Sequence, residues 1–101
     1  MATAILVTFS SAAEPAELAA IAAEFAGALT DVDGLLGKTW LETHGGSGGF
    51  YIFRDDAAAD AYLSGPLVAA LQQHPKFSDF LVQRFGVDEA LSARTHGLPS
   101  P

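Results

Sequence analysis

Residues 34–54, GLLGKTWLETHGGSGGFYIFR, decide the reading of this chain. Two apolar runs, Leu35–Thr43 and Phe50–Arg54, flank the glycine-rich break Gly45-Gly46-Ser47-Gly48-Gly49. Alternating or apolar runs of this length around a glycine cluster predict a β-hairpin, here with a loop longer than the tightest two-residue turns. The stretch also holds the sole tryptophan, Trp40, and one of two tyrosines, Tyr51.

Upstream, Ala2–Ser10 (ATAILVTFS) is β-branched and apolar, and short enough to be a strand. Ile5, Val7 and Phe9 would point one way, Ala4, Leu6 and Thr8 the other, so both faces read as buried. Ser11 and Glu14 have capping-box spacing, and Pro15 suits a first helical turn. Leu18, Ile21, Ala22, Phe25 and Leu29 then recur at helical spacing. Asp31-Val32-Asp33-Gly34 reads as a turn; it shares a D-x-D-G string with calcium loops but lacks their remaining ligands and closing glutamate.

Downstream, Asp55-Asp56 offers an N-cap to a short helix over Ala57–Leu63. Ser64-Gly65-Pro66 interrupts it and starts a second short helix, with Leu67, Val68 and Leu71 on its apolar side; His74-Pro75 ends that one. Ser78–Val87 (SDFLVQRFGV) reads as the last strand. The tail from Asp88 begins with a helical turn and is expected to be loosely ordered from about residue 93. The order β-α-β-β-α-β is the ferredoxin-like arrangement, an α+β fold with one four-stranded antiparallel sheet and helices on one face, in a single domain over residues 1–101. An antiparallel sheet with a wet second face alternates apolar and polar residues. Strands one, three and four do not. A second copy packed sheet to sheet, as a homodimer with a barrel-like centre, would cover that face.

Composition narrows the function. With half of the 101 residues hydrophobic, the chain can build a core unaided, and with no cysteine it has no disulfide or thiolate chemistry. Twelve acidic against five basic residues give a formal charge of −7, which argues against nucleic acid as a partner. No apolar run approaches the ~20 residues of a membrane span, and the short N-terminal run does not read as a signal peptide, so a soluble cytoplasmic protein is expected. The three histidines are far apart and lack the i, i+4 spacing of a metal site.

Lys38-Thr39-Trp40-Leu41-Glu42, Gly48-Gly49-Phe50-Tyr51-Ile52-Phe53, Ala61-Tyr62-Leu63 and Phe85-Gly86-Val87-Asp88-Glu89-Ala90-Leu91-Ser92 together resemble the YdhR-type monooxygenases, in the same order and over most of the chain. That family sits in the dimeric α+β barrel superfamily, whose members include cofactor-free oxygenases of polycyclic phenols and anthrones, and haem-degrading enzymes. The resemblance therefore implies a monooxygenase that needs no cofactor and acts on a small aromatic substrate. Other readings are an aromatic or haem-like ligand-binding dimer without turnover, and an isomerase or cyclase on the same scaffold.

The superfamily's pocket lies between sheet and helices and is lined by a strand tryptophan, which makes Trp40 the first site candidate; the alternative is a core tryptophan. Strand parity places Lys38, Glu42 and His44 on the face of Trp40 unless a bulge intervenes. Arg84, inside the apolar last strand, needs a partner if buried, either an enolate or phenolate in a pocket or a carboxylate such as Glu42; otherwise it stands exposed at the strand edge. Tyr51 and Tyr62 could donate hydrogen bonds to a phenolic substrate or simply pack. His74 could serve as base near neutral pH or stand solvated at its helix end. The expected catalytic set is thus Trp40, Arg84 and His74, with Tyr51, Tyr62, Lys38 and Glu42 binding substrate and no metal ligand.

Overall fold

The computed structural model describes residues 1–99. The elements run β1 (Thr3–Ser11), α1 (Pro15–Leu29), β2 (Leu35–Thr43), β3 (Gly46–Phe53), α2 (Asp56–Leu63), α3 (Pro66–Gln73), β4 (Phe77–Gly86) and α4 (Glu89–Arg94). The sheet order is β2-β3-β1-β4 and every neighbouring pair is antiparallel, as the ferredoxin-like reading requires.

The hairpin differs from expectation in one respect. Thr43 pairs with Gly46, so only His44 and Gly45 form the turn, and Gly45 takes the positive φ of +80° that glycine tolerates. The remaining glycines belong to β3. A Cβ at Gly46 or Gly48 would collide with the backbone carbonyls of Phe9 and Val7, so these positions let β1 lie close. The glycine cluster is long because it serves the neighbouring strand as well as the turn.

The expected capping box is also absent. Glu14 is the N-cap of α1 and makes no side-chain cap, while Ser11 remains paired to Phe77 in the sheet and its Oγ accepts a bond from the Ala13 N–H. Sheet pairing outcompetes the cap at Ser11. Asp55 does cap α2, accepting from the Ala58 N–H at 2.8 Å, and Asp88 caps α4 through the Leu91 N–H at 3.0 Å.

Two irregularities set which residues share a face. Register slips between Leu35 and Gly37 on β2, and opposite Phe9 on β4, where Asp79 has φ +56°. Between them, Lys38, Trp40 and Glu42 of β2 fall in line with Tyr51, Gly49 and Ser47 of β3, then with Ile5, Val7 and Phe9 of β1. This is the helix-facing side. Ile5, Tyr51 and Phe53 form its floor, closed by Ala58, Ala59 and Tyr62 of α2, Val68 of α3 and Leu29 of α1.

The second face carries Ala4 and Ile52 with Ala2 and Val87 at one end, where Leu36, Phe50 and Leu98 pack against them. The tail, expected to be loose from about residue 93, is described as far as Pro99 and returns across this end of the sheet; Ser100 and Pro101 lie outside the described residues. Further along the same face Leu81 and Phe85 of β4 are 55 % and 44 % exposed, beside half-buried Leu6.

Helix α1 is lightly anchored. Leu29, near its end, is its one fully buried residue, and open grooves run along its flanks. One ion pair ties its first turn to the α3–β4 connection: Glu17 to Lys76 at 2.9 Å.

Candidate functional site

A small chamber lies between the sheet and the N-terminal half of α1. Its floor is Val7 and Phe9 of β1 with Ser47, Gly48, Gly49 and Tyr51 of β3; its roof is Leu18, Ile21, Ala22 and Phe25 of α1; Leu71 and Phe77 close one side, and Lys38 and Trp40 of β2 the other. The chamber exists because β3 has no side chain at Gly49, directly across from Trp40.

Lys38 fills that gap. Its side chain crosses the sheet over Gly49, where an added Cβ would come within 2.5 Å of Cε. Its Nζ sits 3.5 Å from the centroid of the Trp40 ring, 4.6 Å from Tyr51 and 4.8 Å from Phe25. Phe25 meets Trp40 edge to face at 6.4 Å. Three aromatic faces hold an ammonium through their quadrupoles, and Lys38 is the one charged side chain on the chamber wall. Removal from water without a counter-ion lowers its pKa from 10.5 to about 8.

Beneath it the two tyrosines form a buried pair. The Tyr62 hydroxyl donates to that of Tyr51 at 3.0 Å, and both rings pack on Phe53, with centroids 5.3 and 6.0 Å away. Burial raises both phenol pKa values, so both hydroxyls are protonated at neutral pH.

As it stands the chamber has about 30 Å³ of free space, room for roughly one or two waters. Ile21, Phe25, Leu71 and Phe77 separate it from an outer groove of about 320 Å³ between α1 and α3, which His74 and Glu24 also line. Anything much larger than water enters the chamber only by displacing those side chains, the Lys38 arm, or the start of α1. A third groove, about 530 Å³, lies at the other end of α1 against α2, with Tyr62 at its base and Arg54, Asp31 and Asp33 at its rim.

The sequence candidates separate accordingly. Trp40, Lys38 and Tyr51 meet in the chamber, with Tyr62 one hydrogen bond behind. Trp40 is 43 % exposed on an edge strand, which is not the environment of a core tryptophan. His74 stacks on Phe77 at 4.3 Å and faces the outer groove; its Nδ1 accepts from the Lys76 N–H. Arg84 shares the helix-facing side but lies on β4, the opposite edge of the sheet from Trp40, three strand spacings or about 14 Å across the sheet and two residues further along it. It pairs with Asp60 of α2 at 2.7 Å, not with Glu42, which is exposed on the far edge. Sequence reasoning did not single out Phe25, Phe9, Phe77 or Gly49. Phe25 was legible as part of the apolar stripe of α1, but nothing local says which stripe residues face a void.

Among the described residues no three His, Asp or Glu side chains gather as a metal site would need, and no helix is long and apolar enough to cross a membrane.

Comparison with known proteins found a family model described as "Putative mono-oxygenase ydhR", matching residues 5–98. No curated protein sequence matches the chain. Among solved structures, a protein of unknown function from Nitrosomonas europaea, NE2512, superposes with TM-score 0.72 at 22 % identity, covering 86 % of this chain and 89 % of its own. SnoaB, a cofactor-independent oxygenase from Streptomyces nogalater, gives 0.68 at 18 % identity over 85 % and 92 %. A dimeric ferredoxin-like protein of unknown function from Thermobifida fusca gives 0.69 at 13 % identity over 86 % and 92 %. At these identities the likeness is one of fold.

Proposed function

The chain belongs to this ydhR mono-oxygenase family, and on that premise we propose that it oxidises a small aromatic phenol or anthrone-like molecule at Trp40, using dioxygen and no cofactor. The observation that carries the reading is the aromatic chamber of Trp40, Phe25 and Tyr51 around a single amine. It offers an aromatic ligand a stacking surface and its developing negative charge one cation.

The chemistry balances without an added reductant. A benzylic CH₂ flanked by aromatic rings loses a proton to give a delocalised carbanion. The carbanion passes one electron to dioxygen, and radical and superoxide combine at carbon. Protonation gives a hydroperoxide, which loses water to leave a carbonyl, so one oxygen atom enters the product and the other leaves as water. A carbanion of this kind is electron-rich enough to reduce dioxygen directly, and SnoaB, described as cofactor-independent, provides a precedent on the same fold.

The assembly proposed with it is a homodimer joined through the second face of the sheet. Leu81 and Phe85, large and exposed beside Leu6, support it, as does the dimeric state of the Thermobifida relative.

The test is oxygen uptake with a panel of anthrones and tricyclic phenols, preceded by titration of Trp40 emission. Saturable quenching and oxygen consumption by one class, both lost in Trp40→Phe, are expected. Quenching with no oxygen consumed across the panel would replace the enzyme with a ligand-binding protein.

A further inference from the structure

We infer that Lys38 is the proton acceptor of the chamber: its neutral amine takes the acidic proton of an aromatic ligand lying on Trp40, and the ammonium so formed remains as counter-ion to the phenolate or enolate. The inference rests on the oxygenase reading in taking the ligand to be an ionisable aromatic.

Three features of the geometry support it. Lys38 Nζ is within 5 Å of all three rings on which a ligand would stack, so an atom of that ligand can reach it without further rearrangement of the floor. Among the described residues no carboxylate pairs with it; their ion pairs use Arg54, Lys76, Arg84 and the N-terminus. Once protonated, an amine with no such partner in a chain of net charge −7 leaves a site for the anion its own proton uptake creates. Finally, the other titratable groups nearby cannot do the same work. On β3 the Tyr51 hydroxyl is protonated and bonded to Tyr62; on α1 Glu17 is tied to Lys76 and Glu24 faces the outer groove; on α3 His74 lies behind Phe77 in that groove; β1 contributes Val7 and Phe9 only. The direction of the Lys38 shift agrees, since an amine losing its proton near pH 8 is partly neutral at physiological pH.

The step is a proton transfer and nothing else. The ligand's O–H or C–H bond breaks, its electron pair stays on the ligand, and Nζ goes from –NH₂ to –NH₃⁺.

The experiment uses alizarin, a hydroxyanthraquinone that cannot lose a benzylic hydrogen and whose colour reports its ionisation. Titrated through its first ionisation while bound to the native protein, it is expected to show a phenol midpoint a unit or more below that of the free dye, about tenfold in the ionisation equilibrium. In Lys38→Met the midpoint of the bound dye should not fall below that of the free dye. In Lys38→Arg, whose side chain stays protonated, the lowered midpoint should be retained while anthrone-driven oxygen uptake falls at least a hundredfold. Native protein alone supplies a further readout: competitive acetylation with acetic anhydride, followed by peptide mass, should give Lys38 a midpoint near 8 and show protection by alizarin. Equal dye ionisation in Lys38→Met, or acetylation of Lys38 with an ordinary midpoint and no protection, overturns the inference. Dye ionised by Lys38 with no anthrone consumed leaves it standing and removes the oxygenase reading. Failure of alizarin to bind at all overturns both.

Discussion

The tyrosine pair under the chamber gives a prediction whose size follows from the structure. Tyr51 and Tyr62 are 2 % and 5 % exposed, and each hydroxyl has the other as its partner at 3.0 Å. Tyr62→Phe removes the donor and strands the Tyr51 oxygen in an apolar site between Phe53 and the Lys38 arm. A lost neutral hydrogen bond costs about 1 kcal/mol, and an orphaned buried hydroxyl raises the total to about 1–3 kcal/mol. Tyr51→Phe should cost the same for the converse reason. The double variant removes both polar atoms together and leaves two stacked phenyl rings of unchanged shape, so its loss should be no greater than either single change. The coupling energy of the cycle is therefore at least one single loss, about 1–3 kcal/mol, and opposes additivity. For a chain of this length each kcal/mol lowers Tm by about 4–8 °C. Urea unfolding followed by Trp40 emission, at one fixed protomer concentration, measures it. Additive losses in the double variant would refute the reasoning, because they would mean that each hydroxyl has a separate partner.

Three further outcomes are expected. Lys38 has a folded pKa near 8 against 10.5 for the free side chain, so between those values the unfolded chain holds more protons and stability should climb with pH. Lys38→Met should abolish that part of the climb and be at least as stable as the parent at pH 7, as denaturant titrations of both from pH 7 to 10.5 would show; a slope unchanged in the variant contradicts it. Gly49→Ala places a Cβ against Lys38 Cε and should push the flexible arm off the rings. The strand gain of about 0.5–1 kcal/mol from replacing glycine is offset by the lost cation–π contacts, so stability should stay within about 1 kcal/mol while the Lys38 acetylation midpoint moves up toward 10.5. Phe85→Glu puts a charge on the open sheet face and should convert the proposed dimer to monomer in sedimentation velocity; an unchanged dimer would rule out pairing through that face.

Much of the fold is written in local patterns. The apolar strands, the stripe of α1, Asp55 at the start of α2 and the glycine-rich hairpin each identify their element, and together they permit one familiar order. Where local reading failed, at Ser11 and in the glycine cluster, a neighbouring segment decided the outcome: β4 and the hairpin turn at Gly45 hold Ser11 in the sheet, and β1 needs Gly46 and Gly48. The site was half legible for a similar reason. Alternation along β2 places Lys38 with Trp40, and pairing across the hairpin brings Tyr51 beside them. Alternation gives the face of a residue but not its distance along the sheet. Arg84 was therefore indistinguishable in sequence from a residue near Trp40, although β4 and β2 are opposite edges. His74 depends on how α3 turns into β4, which no periodicity encodes.

The empty position at Gly49 has a practical corollary for anyone improving this protein. Its value lies in what it leaves out, and a substitution there is expected to register as nearly neutral in a thermal or denaturant screen. Selection for robustness alone would accumulate side chains at that point while every strand, helix and melting curve stayed in order. The chamber would close silently, so position 49 should be held fixed in any stabilised library, with occupancy by a ligand, not unfolding, as the criterion for releasing it.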